Sequence, residues 1–385
     1  MTWEPNIVFV GGGPVGLWTA IQIKLFCPTI KILVLEKHQH YQRAHIVMLE
    51  PKSLVGSVQH DPEFNKLKQY IISNKKIRTN DLEEKLVTLA RKLGIQFLFR
   101  NVEDAKTLPA EYPNVKVFIG ADGSHSVVRR QIFGERLAFS ETQQYIVEAK
   151  YEALGTTRTF DLLTEAYPMM KAMDCIVSEN MGKQRKDTST PVTARFFISE
   201  HEYRDTKHAT FKTPIIFPRD MTKISASVSY KVALWLAAKE KYAKEKIIKD
   251  SVKITSTKLN SYASQYFAGK VGDQTWCLVG DAASGFPYFR SLNVGLVAGT
   301  RLAHNVASFF RVGYIPSATK SDAVFGDVSD QFVDYAEFYK NFAASEYFAS
   351  KAKNVALKSL GFVARFNNFF PWQFIKLGRK NKKLF

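Results

Sequence analysis

Hydrophobic positions change their period several times along the chain, and the changes divide it. Ile7-Val8-Phe9-Val10 is apolar at every position, the pattern of a strand buried on both faces of a parallel sheet. The run breaks at Gly11-Gly12-Gly13-Pro14-Val15-Gly16, resumes as the helix Leu17-Trp18-Thr19-Ala20-Ile21-Gln22-Ile23, and is followed by a second apolar strand, Lys31-Ile32-Leu33-Val34-Leu35. Leu82, Leu86, Leu89, Ala90 and Leu93 then recur at helical spacing. Asn80 and Glu83 stand at the spacing of a capping box, Gly94 marks the stop, and Ile95-Gln96-Phe97-Leu98-Phe99 reads as the next strand. Alternating strands and helices predict a doubly wound α/β sheet.

Val115-Lys116-Val117-Phe118-Ile119 continues that sheet and ends in Gly120-Ala121-Asp122-Gly123, ahead of a basic helix containing Arg129 and Arg130. From about Phe139 to Gln265 the texture changes. Thr193-Ala194-Arg195-Phe196-Phe197-Ile198-Ser199 and Lys223-Ile224-Ser225-Ala226-Ser227-Val228-Ser229 alternate with period two, which predicts antiparallel strands. The Lys/Ala-rich stretch 231–249 predicts a helix with a solvated basic face. Thr275-Trp276-Cys277-Leu278-Val279 returns to buried-strand chemistry and ends in Gly280-Asp281-Ala282-Ala283, and residues 294–310 carry one apolar helical side. The expected class is α/β (α+β overall). The expected domains are a discontinuous nucleotide-binding domain (1–138 and 266–345), an inserted antiparallel-sheet domain (139–265) and a basic helical tail (346–385).

The first turn carries the clearest chemistry. Gly11 permits a sharp turn, Gly13 lets backbone approach a phosphate, and Gly16 lets the next helix press on the sheet. That helix aims free N–H groups at an anion. Glu36, twenty residues after Gly16, is placed to accept hydrogen bonds from ribose hydroxyls. Arg43 follows on a polar stretch, where a bridge to pyrophosphate competes with a solvated loop arginine. The second turn, Gly120 to Gly123, has the same phosphate-facing form.

Composition narrows the setting. The 385 residues are 45% hydrophobic and 13% aromatic, which argues against disorder. Cys27, Cys175 and Cys277 fit no zinc spacing and cannot all pair, so the expectation is a reducing, cytoplasmic setting without metal. Met1-Thr2-Trp3-Glu4-Pro5 shows no signal peptide, and no apolar run is long enough to span a bilayer. The net charge is +18, and residues 351–385 hold nine Lys and Arg with no acid. Val355, Leu357, Leu360, Phe362, Val363 and Phe366 interleave with those lysines. The tail therefore reads either as a peripheral segment on an anionic membrane or as a C-terminal helix docked on its own core. No nucleic-acid recognition motif accompanies the charge, so specific nucleic-acid binding is not expected.

The three glycine turns, Gly11 to Gly16 with Glu36, Gly120 to Gly123, and Gly280 to Ala283, stand in an order and spacing that resembles the FAD-dependent aromatic-hydroxylase type of flavoprotein monooxygenase, the p-hydroxybenzoate hydroxylase-like fold. The resemblance covers most of residues 5–310. Glu36-Lys37 to Arg43, with His45 and Leu49-Glu50-Pro51, is also similar in spacing to the flavoprotein domain of the MICAL proteins, which oxidise methionines of actin. This resemblance implies a Rossmann-type FAD-binding domain with an inserted substrate domain and a C-terminal helical region. It implies that Gly11, Gly13 and Gly16, with Pro14 among them, meet the FAD pyrophosphate, and that Glu36, beside Lys37, meets the adenosine ribose. Arg43 would reach the phosphates or ribityl chain, Asp122 the middle of the cofactor, and Gly280 and Asp281 its ribityl or pyrophosphate oxygens. Leu292 and Asn293 would present backbone N–H groups to the flavin pyrimidine, and Pro287 would lie beside the isoalloxazine. His45, Pro287 and Tyr288 are the catalytic candidates on the flavin face, with Phe286 nearby; a solvent-exposed His45 and a packing role for Tyr288 and Phe289 are the competing readings.

Two departures accompany the resemblance. Relatives usually carry a longer, glycine-containing loop where Tyr288-Phe289-Arg290-Ser291 stands, and commonly an Arg or Gln where Thr79 and Asn80 stand. The implied activity is a monooxygenase in which NADPH or NADH reduces FAD and O₂ adds at flavin C4a, with a small aromatic molecule or a protein side chain as substrate. The alternatives are an FAD-dependent reductase or dehydrogenase of the same fold, and a flavin-binding protein with decayed catalysis that recruits a partner. Oligomeric state is left open.

Overall fold

The computed structural model describes residues 3–39, 46–74, 76–287 and 290–366. The chain divides into two compact units, Met1–Glu141 with Asn260–Ser350, and Thr142–Leu259 with the described residues from Lys351 onward.

The first unit is built on a seven-stranded sheet. Its strands are β1 (Ile7–Val10), β2 (Ile32–Glu36), β3 (Gln96–Phe99), β4 (Val117–Gly120), β9 (Ala268–Val271), β10 (Gln274–Leu278) and β11 (Val324–Phe325), in the order β11-β9-β10-β4-β1-β2-β3. From β10 to β3 every pairing is parallel, and β1 is buried along its whole length, as its unbroken apolar run predicts. Helix α1 (Pro14–Phe26) packs against α5 (Arg290–Val312) through a buried polar link: Trp18 Nε1 donates to the Thr300 hydroxyl at 3.0 Å and to the Leu296 carbonyl at 3.2 Å.

Helix α2 (Thr79–Lys92) begins one residue before the expected cap. The expected capping box is not formed, because Arg78 holds the cap position without a side-chain bond and Asn80 lies inside the first turn. Glu83 is turned into the protein and buried, where helical periodicity puts it beside Leu82 and Leu86. Gly94, at φ +79°, ends the helix as expected.

The second unit is an antiparallel sheet covered by one long helix. Strands β5 (Leu137–Leu154) and β7 (Ser189–Ile198) pair from Tyr145↔Ile198 to Leu154↔Ser189, and β6 (Ile176–Met181) flanks β7. On the other side β5 neighbours β8 (Lys253–Ser264). Alternate residues of β7 are buried, the one-sided pattern of a sheet packed on a single face. The strand expected at 223–229 is absent. Helix α4 (Ala226–Tyr242) starts there, with the Ser225 hydroxyl accepting the Val228 N–H at 3.3 Å. Ile224, Val228 and Val232 are four residues apart and all buried, so the helical period overrides the short alternation.

The solvated basic face expected of 231–249 is also corrected: the helix stops at Tyr242, and Lys239 is completely buried. Helix α6 (Asp330–Phe366) runs unbroken across the expected boundary at 345/346.

Candidate functional site

Three turns leave the sheet at one level. Val10 is the register partner of Gly120, and Gly120 is the partner of Leu278. The strands β1, β4 and β10 therefore end together, and the glycine turns that follow them stand side by side on the C-terminal edge. The last ladder bonds run from Ala121 N–H to the Val10 carbonyl (2.7 Å) and from Val279 N–H to the Gly120 carbonyl (2.9 Å). In an open parallel sheet this edge is where ligands bind.

The first turn tolerates little at two positions. Gly11 has φ +99°, and a β-carbon on it would lie 2.5 Å from the Ala121 carbonyl oxygen; one on Gly16 would lie 2.8 Å from the Gly11 carbonyl oxygen. A β-carbon on Gly13, by contrast, would meet no atom within 4 Å. Gly13 caps α1 with extended backbone, Pro14 opens the helix, and its first turn contains no acid. The first N–H groups of α1 have no acceptor within the helix and lie at the positive end of its dipole, next to the open side of Gly13.

Glu36 has a role the sequence did not disclose. Its Oε2 accepts the Gly12 N–H at 2.7 Å and its Oε1 accepts the His38 N–H at 3.0 Å. The carboxylate thus ties the glycine turn to the end of β2, and each oxygen keeps accepting capacity. Lys37 is exposed beside it. Burial, and then the nearby Glu36 carboxylate, push the Glu83 carboxyl up to about 8.

At the second turn Asp122 Oδ2 accepts the N–H groups of Val127 (2.6 Å) and Val128 (3.3 Å), closing the start of α3 (Val127–Ile132). Burial raises its carboxyl above the usual range, and Oδ1 is buried without a hydrogen bond.

Arg129, noted in the sequence only as part of a basic helix, joins the second and third turns. Its guanidinium donates to the carbonyls of Ser124 (2.7 Å), Ala282 (2.7 Å) and Asp281 (3.3 Å) and lies 5.1 Å over the Tyr262 ring. Three tyrosines serve the same stretch: Tyr262 donates to the Asp281 carbonyl at 2.7 Å, Tyr335 to the Leu278 carbonyl at 2.6 Å, and Tyr339 to the Gly280 carbonyl at 3.4 Å. Burial raises all three phenols, so they remain donors.

Beyond the third turn, Phe286 and Pro287 are buried, and the Ser291 hydroxyl accepts the Phe286 N–H at 2.7 Å. Leu292 and Asn293 lie in the first turn of α5. Asn293 fastens that turn to a neighbouring segment, accepting the Glu50 N–H at 2.9 Å and donating to the Met48 carbonyl at 2.8 Å. Arg290 is ion-paired with Glu346. Three expected site residues, Arg43, His45 and Tyr288, lie outside the described residues, as does Phe289.

No family model and no curated protein matches the chain. Solved structures do. The aromatic hydroxylase CabE aligns with a TM-score of 0.54 at 13% identity, over 95% of this chain and 74% of its own. The flavin-dependent halogenase CmlS aligns with a TM-score of 0.57 at 11% identity, over 90% of this chain and 62% of its own. The chain has the flavoprotein hydroxylase fold. The Diels-Alderase PyrE3 aligns comparably, with a TM-score of 0.53 at 15% identity, over 94% of this chain and 77% of its own. The flavoprotein hydroxylase fold thus accommodates several reactions.

Proposed function

We propose that the chain binds FAD across the three turns and acts as an FAD-dependent monooxygenase. In this reading NADPH or NADH is the electron donor, and the substrate is a small aromatic molecule or a protein side chain. The observation that carries the reading is the common level of the three turns: β10, β4 and β1 end in register, with the open face of Gly13 at the start of α1. The residues fit the group. The α1 N–H groups and Gly13 would hold the pyrophosphate, Glu36 the ribose through its remaining accepting capacity, and the α5 start at Leu292 and Asn293 the flavin pyrimidine. Bound FAD would supply the redox chemistry, which no protein side chain provides. The protein's own work is positional: Arg129 and the tyrosines hold the third turn rigid, and buried Phe286 and Pro287 keep water from its base.

Purified protein tests this directly, by its absorbance and by FAD titration. Gly13→Ala sharpens the test, because its backbone at φ −69° and ψ 174° accepts alanine and a β-carbon there meets nothing. The expected result is an unfolding midpoint within about 2 °C of the parent, with FAD affinity reduced at least about tenfold by the methyl group at the phosphate approach. A colourless protein that takes up no FAD overturns the reading. For the loaded protein, NAD(P)H consumption coupled to added substrate supports a monooxygenase. Flavin reduction without O₂-dependent product points to a reductase, and no reduction to a binding protein.

A further inference from the structure

The antiparallel unit exposes apolar side chains at one end. A short helical turn, Leu162–Ala166, is opened by Asp161, whose Oδ1 accepts the N–H groups of Leu163 (3.2 Å) and Thr164 (3.0 Å). Its first two side chains, Leu162 and Leu163, are 66% and 74% exposed. The turn is held in place. Arg158 grips Glu165 with both terminal nitrogens (2.5 and 2.7 Å) and also donates to the Tyr242 carbonyl at 3.2 Å. That bond fixes the Leu-Leu tip against the end of α4, where Tyr242 is itself 53% exposed. Alongside, Leu154 at the end of β5 is 50% exposed and is the register partner of Lys246.

The chain beside the Tyr242 carbonyl and opposite Leu154 is rich in lysine. Lys241, Lys244, Lys246 and Lys249 are exposed, and none is in an ion pair among the described residues. Of the neighbouring acids, Glu165 is bound to Arg158 and Asp161 caps the turn while keeping its charge; with the exposed Glu240 and Asp250, four lysines stand against three carboxylates besides Glu165.

We propose that this end of the unit docks on the surface of an anionic lipid bilayer, with Leu162 and Leu163 entering the headgroup–acyl boundary and the lysines meeting the headgroups. A rigid apolar tip with a cationic collar is the combination that binds such a surface. A second copy of the chain fits worse, since a two-fold interface would set the lysines against each other. The surface lies at the Leu154 end of β5, whereas Asn354 of α6 donates to the Gln143 carbonyl near the other end of that strand. The described part of α6 thus meets β5 away from this surface.

The test is co-sedimentation of the full chain with phosphatidylcholine vesicles with and without phosphatidylserine, at low and physiological salt. The parent should bind the anionic vesicles in preference, and less at higher salt. Leu162→Glu/Leu163→Glu should lower binding at least about tenfold, and Lys244→Glu/Lys246→Glu should lower both the binding and its salt dependence. All four positions are exposed, so an unchanged circular dichroism spectrum and unfolding midpoint verify folding. No anionic preference in the parent overturns the proposal. So does binding that survives both variants but is lost when residues 367–385 are deleted, which assigns it to the tail. A concentration-dependent dimer abolished by Leu162→Glu/Leu163→Glu, without vesicle binding, overturns it in favour of self-association.

Discussion

The glycine-turn edge of the first unit and the Lys239 cluster of the second both bury polar groups, and they satisfy them from opposite sources. At the edge the buried groups are mostly backbone: Gly12 N–H is met by Glu36, and the carbonyls of Leu278, Gly280, Asp281 and Ala282 are met by tyrosine hydroxyls and Arg129. In the second unit the buried groups are charges. Lys239 Nζ lies 2.9 Å from Glu179 and 3.2 Å from Glu245, donates to the Arg158 carbonyl at 2.5 Å, and sits 4.9 Å over the Phe160 ring. Two carboxyls share one ammonium there, and burial, only partly offset by Lys239, holds the Glu179 carboxyl above its usual range. The first arrangement stiffens a backbone shape that a ligand can use. The second pins α4, β6 and the segment around Arg158 within one core.

Breaking the charge cluster should have the largest effect on stability. Lys239→Met leaves two carboxyls buried without their cation and should cost about 3–5 kcal/mol, read by urea denaturation with the buried Trp235 as probe. The triple change Lys239→Met/Glu179→Gln/Glu245→Gln should recover much of that loss, since the unpaired charge is the cause. A cost below about 1 kcal/mol for Lys239→Met would show that water reaches the cluster. Arg129→Met comes next. It strands carbonyls of two turns and should cost about 2 kcal/mol. Unlike Lys239→Met, it should also weaken FAD uptake, because the third turn loses its tether. Equal FAD affinity in parent and variant would reduce Arg129 to a structural bond.

The two regions also differ in how much of them the chain displays. Gly11, Gly13 and Gly16 act within six residues of one another, so the shape of the first turn is a local pattern, and the apolar runs of β1, β2, β4 and β10 announce the sheet. Arg129 is not legible in this way. It works by reaching carbonyls about 150 residues away, and nothing in its local sequence separates it from the neighbouring exposed Arg130. Lys239 is the extreme case: in a Lys/Ala-rich helix it looks like any solvated lysine until Glu179 and Glu245 are brought to it from other elements. Asn80 and Glu83 misled for a related reason. Their spacing fits a cap, but the helix starts at Thr79, and packing turns Glu83 inward instead.

Glu83 supplies the finest test of the contrast, because it places an uncompensated acid beside the backbone-satisfied edge. Its Oε2 is buried without a hydrogen bond, and its carboxyl is pushed up to about 8, first by burial and then by Glu36. The folded protein therefore holds a proton there that the unfolded chain releases above about 4.5. The stability linked to that proton is fully present below about 4.5 and is lost as pH rises through about 8. Glu83→Gln keeps the neutral form at every pH. Its stability relative to the parent should be similar below about pH 4.5, rise as the pH climbs towards about 8 and level off above it, measured as the difference in urea midpoints. Parallel midpoint profiles for parent and variant would mean that Glu83 ionises freely and that the edge holds no such acid. Glu36→Gln should produce a smaller change of the same sign, since it removes the second cause of the shift and leaves the first.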